Sequence, residues 1–139
     1  MWPHPGPTPS SPTHRLANHD ARVRLALALA RDFPHAHVAA LLDNDLAVTD
    51  GVILHEPAHT IDHAVGFGLC LTRLHPAGHL AGIVLFSVVA DADPLRDADL
   101  ATWRRIRAVA DLLPALHDWL ITDGRVVWSM AATTGTAPW

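Results

Sequence analysis

Lysine, glutamine and tyrosine are missing from this 139-residue chain, and cysteine occurs once, at Cys70. A lone cysteine excludes an intramolecular disulfide and suits a reducing compartment. Charge is also sparse. Charged residues make up 17% of the chain and the formal net charge is −4. That balance excludes a dominant electrostatic pull on DNA or anionic lipid. Long apolar runs are lacking too: the longest, Leu80 to Ala90, covers 11 residues and is too short to span a bilayer. The opening stretch MWPHPGPTPSSPTHR has no apolar segment of the kind a secretory signal needs. Together these absences predict a cytoplasmic protein with no membrane partner.

Half of the residues are apolar, enough to build one core of ordinary domain size. Residues 1–18 hold five of the eleven prolines together with Ser, Thr and Gly, and read as a disordered tail. A single domain is expected over 19–131, with a flexible C-terminal tail over 132–139. Asn18 or Asp20 can cap a helix that Pro34 stops. Val38 to Asp43 and Leu46 to Leu54 read as strands joined through Asp43-Asn44-Asp45. Thr60 or Asp62 opens a second helix running to Leu74, ended by His75-Pro76-Ala77-Gly78. Gly82 to Val89 is a continuous apolar run, the pattern of a strand covered on both faces. Asp97 caps a third helix to Leu113, with Leu100, Trp103, Ile106, Ala110 and Leu113 inward. Leu116 to Thr122 and Arg125 to Met130 close the chain as a hairpin about Asp123-Gly124. The order α-β-β-α-β-α-β-β predicts an α/β fold: three layers, with a central mixed sheet flanked by helices. In such sheets sites gather beyond the carboxyl ends of central strands, which here is the loop after Val89.

At that loop the chain resembles a known family. Val84-Leu85-Phe86-Ser87-Val88-Val89-Ala90-Asp91-Ala92-Asp93-Pro94 is followed by Arg96-Asp97-Ala98-Asp99-Leu100. After a helix come Leu116-His117-Asp118-Trp119-Leu120-Ile121-Thr122 and Gly124-Arg125-Val126-Val127. With Leu41-Leu42-Asp43-Asn44 and Val52-Ile53-Leu54 upstream, the layout of residues 38–130 is similar to the RadC-type JAB/MPN domain, a zinc-hydrolase family with a cytidine-deaminase-like layout. The resemblance implies a site on this loop, but the family's zinc ligands do not carry over. Its His-x-His pair falls on Ser87 and Val89, or on Phe86 and Val88 under the other alignment. Its serine falls near Arg96 and its catalytic glutamate near Asp50 or Gly51. Asp99 alone matches a ligand position, and one carboxylate does not hold Zn²⁺. The resemblance therefore implies a degenerate member, a pseudoenzyme with no catalytic residues and no cofactor, its loop marked by Ser87, Val89, Asp91, Asp93 and Asp99.

Other constellations compete. His55-Glu56-Pro57-Ala58-His59 is a literal H-E-x-x-H, which on a helix would set His55 and His59 on one metal with Glu56 as base. Pro57 inside it and the strand before it oppose a helix there. His63 lies eight residues from His55, about 12 Å along a helix, too far to complete that site. The expectation is an exposed loop, with a small zinc hydrolase as the alternative. Cys70, among Phe67, Leu69 and Leu71, is expected in the core. Asp91, Asp93, Asp97 and Asp99 form a solvated acidic loop without EF-hand spacing. Arg104, Arg105 and Arg107 beside Trp103 read as the outer face of an ordinary amphipathic helix, with nucleic-acid binding a weaker alternative that the net charge opposes. The functional expectation is a non-catalytic binding or assembly module with an unknown protein partner, a homodimer included.

Overall fold

The computed structural model describes residues 15–74, 82–110 and 115–135. It is an α/β fold with a five-stranded mixed sheet and four helices. The elements run α1 (His19–Asp32), β1 (Ala36–Leu42), β2 (Val48–His55), α2 (Ile61–Leu74), β3 (Gly82–Val88), α3 (Asp97–Ala110), β4 (Ala115–Thr122), β5 (Val127–Ser129) and α4 (Met130–Thr133). The sheet order is β2-β1-β3-β4-β5. β1 is antiparallel to both β2 and β3, β3 is parallel to β4, and β4 is antiparallel to β5. No helix among the described residues is long and apolar enough to cross a membrane.

Local chemistry sets these elements. Asn18 caps α1 by accepting a hydrogen bond from the Ala21 amide at 2.9 Å. Every residue of β1 and β3 is buried, because strand alternation sends successive side chains to opposite, equally covered faces. Even-numbered positions such as Val38, Ala40, Val84 and Phe86 pack with Leu25, Ala26 and Leu29 of α1. Odd-numbered positions such as Ala39, Leu41, Ile83 and Leu85 pack with Ile61 and Ala64 of α2 and Trp103 and Ile106 of α3. Gly68 lets α2 lie close to the sheet: a Cβ there would sit 3.3 Å from that of Ala39.

Several expectations are corrected. Arg15 to Asn18 belong to the fold rather than to a disordered tail. Leu16 is buried, its amide donates to the Leu46 carbonyl at 2.8 Å, and Arg15 pairs with Ala47. The last strand ends at Ser129, whose hydroxyl caps α4 by accepting from the Ala132 amide at 3.1 Å. Residues 130–133 are therefore a short helix, where sequence suggested strand and then tail. Cys70 is exposed, not core. α2 turns Ile61, Ala64 and Gly68 inward, and a residue two beyond Gly68 points the other way. The expected helix stop at 75–78, the inward Leu113 and residues 136–139 lie outside the described residues.

A buried polar network ties α1 to the far end of the sheet. Asp118 on β4 is fully buried and accepts from the Ser129 hydroxyl (2.6 Å) and from the amides of Trp119 (2.8 Å) and Ala131 (2.9 Å). The guanidinium of Arg22 stands 3.9 Å away, and its Nε donates to the Leu16 carbonyl at 2.8 Å. Burial lowers Arg22 to about 10 and raises Asp118, against the opposing pull of each on the other.

Candidate functional site

His37 and Ser87 are direct partners in the β1–β3 register, on the face that carries α2 and α3. The two side chains meet there, with His37 Nδ1 2.8 Å from Ser87 Oγ. On the other side of the ring, Nε2 lies 2.9 Å from Glu56 Oε1. Glu56, the chain's single glutamate, follows β2 directly and is held there by its amide, which donates to the His35 carbonyl at 2.8 Å. From β4, the indole N–H of Trp119 donates to Ser87 Oγ at 2.9 Å.

The proton order of this chain follows from which groups can donate. An indole N–H can only donate and a carboxylate can only accept, so Ser87 Oγ accepts from Trp119, and a neutral His37 that donates to Glu56 has Nδ1 left to accept the Ser87 hydrogen. His37 then carries its hydrogen on Nε2 and gives it to the Glu56 carboxylate. Burial holds His37 below its ordinary value of 6.5, outweighing the nearby Glu56 charge, so the ring is neutral at pH 7. The result is a continuous relay, Trp119 to Ser87 to His37 to Glu56.

The relay opens onto a cavity of about 270 Å³ beyond the carboxyl end of β3, where the fold leads one to look. Ile61, Ala92, Pro94 and Ile121 give it apolar wall, and Thr60, Thr102, Arg96 and Asp99 are polar. Its outer loop is pinned from the β4–β5 turn. The Asp123 carboxylate accepts from the Ala92 amide at 3.1 Å, and the Trp128 indole donates to the Ala92 carbonyl at 2.7 Å. Asp123 also accepts from the amides of Arg125 and Val126, and these bonds lower its carboxyl to about 2.

Of the residues singled out from sequence, Ser87, Val89, Asp91 and Asp99 line this cavity. Asp93 is not part of the lining; its amide donates to Asp91 Oδ1 at 3.2 Å. Phe86 and Val88 face the α1 side of the sheet, so of the two alignments only Ser87 and Val89 reach the site. Asp50 and Gly51 sit within the β1–β2 hairpin, opposite Leu41 and Ala40, and do not line it. Within His55-Glu56-Pro57-Ala58-His59, β2 ends at His55 and a turn follows. His59 packs edge-on against the His63 ring, 5.5 Å between centroids, while Glu56 is taken by His37. Among the described residues no three His, Cys, Asp or Glu side chains gather as a metal site.

The arginine cluster also divides. Arg105 is bound by both carboxylate oxygens of Asp62, at 2.6 and 3.2 Å. Arg107 lies 5.6 Å over the Trp103 ring. Arg104 and Arg107 border a second, larger and more open hollow of about 640 Å³ beside Thr133 and Thr134.

Sequence reasoning missed His37 and Trp119, and it gave Glu56 a metal-site role. Reading β1 as antiparallel to β3 would have been needed to bring His37 to Ser87, fifty positions later. The signal was a polar residue, Ser87, on an apolar strand, together with a histidine among Ala and Val. No family model, curated protein or solved structure matches the chain.

Proposed function

We propose that the chain is a degenerate JAB/MPN-like domain that works as a binding or assembly module, recognising its partner at the cavity beyond β3. Support comes first from layout. The element order α-β-β-α-β-α-β-β, followed by the short α4, and a sheet with β1 antiparallel between β2 and β3 suit the three-layer arrangement of that family. The observation that carries the reading is the meeting of Ser87, Val89 and Asp99 on one cavity. These are the positions onto which the resemblance maps the zinc ligands. A hydroxyl committed to Trp119 and His37, an isopropyl group and one carboxylate do not match the donor set of zinc, which takes imidazole, thiolate or several carboxylates. The site does not fit the metal, and no zinc-dependent step follows from it. What remains is a concave, partly apolar pocket with convergent polar groups, the form of a recognition site.

Metal analysis of untagged protein tests this reading. The expected result is sub-stoichiometric zinc, iron, manganese and nickel, and a melting temperature unchanged by EDTA. One equivalent of any first-row metal, lost on chelation together with stability, would overturn it, and His59→Ala would show whether the HEPAH segment holds that metal.

A further inference from the structure

We propose that Ser87 is a nucleophile, activated by His37 and Glu56, that takes the acyl group of small esters without any metal. This goes beyond the recognition reading, which would survive its failure. A serine hydroxyl becomes reactive when a neutral base is hydrogen-bonded to it and a third group orients that base. Here Ser87 Oγ is 2.8 Å from Nδ1 of a neutral imidazole whose other nitrogen is held at 2.9 Å by a carboxylate. Serine and carboxylate each use the other ring nitrogen from the usual arrangement, which leaves the proton logic intact, because either nitrogen serves as base while its neighbour keeps its hydrogen. The Trp119 N–H, donating to Oγ at 2.9 Å, fixes the Ser87 side chain so that its hydroxyl hydrogen is directed to His37 Nδ1. Both Ser87 and His37 line the cavity although they are otherwise buried, so a reactant meets them there.

The step balances. Ser87 Oγ attacks the ester carbonyl carbon as its proton passes to His37 Nδ1. The tetrahedral adduct collapses, breaking the bond to the leaving oxygen, which takes the proton from His37 and departs as an alcohol. Water then gives a proton to the same nitrogen and attacks the acyl-serine, and the carboxylic acid leaves as Oγ regains its hydrogen. Ester and water become acid and alcohol. Arg96, whose guanidinium donates to the Asp91 carbonyl at 3.5 Å, is the cation among the lining residues. A volume of about 270 Å³ limits the substrate to short acyl chains. Glu56, Asp91 and Asp99 on the wall disfavour substrates bearing a carboxylate.

The test uses the full-length protein with an alkyl fluorophosphonate and with p-nitrophenyl acetate, read by intact mass and peptide mapping. The expected result is a single adduct on Ser87, absent in Ser87→Ala and slowed at least tenfold in His37→Ala. Glu56 acts through His37 as a positioning residue: Glu56→Ala slows labelling, and Glu56→Gln, which keeps an accepting oxygen, recovers most of the rate. Mapping on the unaltered protein needs no variant to fold. Adducts confined to other side chains, or no adduct on Ser87 at millimolar probe, would overturn the proposal.

Discussion

The hydroxyl of Ser87 and the Nδ1 nitrogen of His37 lie 2.8 Å apart because their residues face each other across the β1–β3 ladder. Register alone therefore builds the contact, and the cost of losing it can be stated. Ser87→Ala strips a partner from both the Trp119 N–H and the His37 nitrogen, both on buried residues. Leaving buried polar groups unsatisfied costs about 1–3 kcal/mol. Urea denaturation should show a loss in that range with an unchanged m-value, and Trp119→Phe in the same background should recover part of it.

His37 also makes stability depend on pH. Burial pushes its folded-state value below 6.5, and His117 is pushed the same way by burial and by Arg22. The unfolded chain protonates these rings near 6.5, so below that pH it binds more protons than the folded chain does. Stability is then full above pH 6.5 and falls as pH drops toward the lower folded values. Chemical denaturation at pH 7.5 and 5.5 should show the decline, and His37→Gln with His117→Gln should flatten it.

The Arg22–Asp118 pair gives a larger effect. Both side chains are out of water, and Asp118 gathers three further hydrogen bonds from Ser129, Trp119 and Ala131. Removing one member of a buried pair strands the other and costs about 3–5 kcal/mol. Asp118→Ala should show that loss in denaturant titration, while Arg22→Met with Asp118→Asn, which keeps an oxygen for the Trp119 and Ala131 amides, should cost less than its two single changes summed. A loss in the double variant equal to the sum of the two single losses would mean that the charges are not coupled.

Much of the fold was legible because its signals are local. The apolar run of β3, the Asn18 cap and the Asp-rich turns each act within a few residues, and the strands and helices they imply are present. Leu16 was not legible, since a proline-rich neighbourhood hides one anchoring residue whose backbone pairs with Leu46. Met130 was misread as strand because the Ser129 cap competes with β-propensity over one turn. The loop after β3 could be named from the element order as the place to expect a site. The polar groups that meet beside it could not, because His37, Ser87 and Trp119 come from three strands whose adjacency is set only by the finished sheet.

Asp123 links the turn between β4 and β5 to the wall of the candidate site. Its carboxylate holds the amides of Ala92, Arg125 and Val126, so the charged form is favoured and the carboxyl falls to about 2. A lowered folded value means that Asp123 stabilises the fold fully above about pH 3.8, the ordinary value, and that this contribution is lost as pH falls from there toward about 2. Asp123→Asn keeps an accepting oxygen for one amide cluster only, and Asp123→Ala keeps none. The expected order of melting temperature at pH 7 is wild type, then Asn, then Ala, with the three converging near pH 2. Because the Ala92 amide is one of the three donors, hydrogen exchange there should accelerate in both variants more than exchange in β1. If Ala92 exchanges unchanged while the melting temperature drops, Asp123 shapes the turn but does not hold the cavity loop.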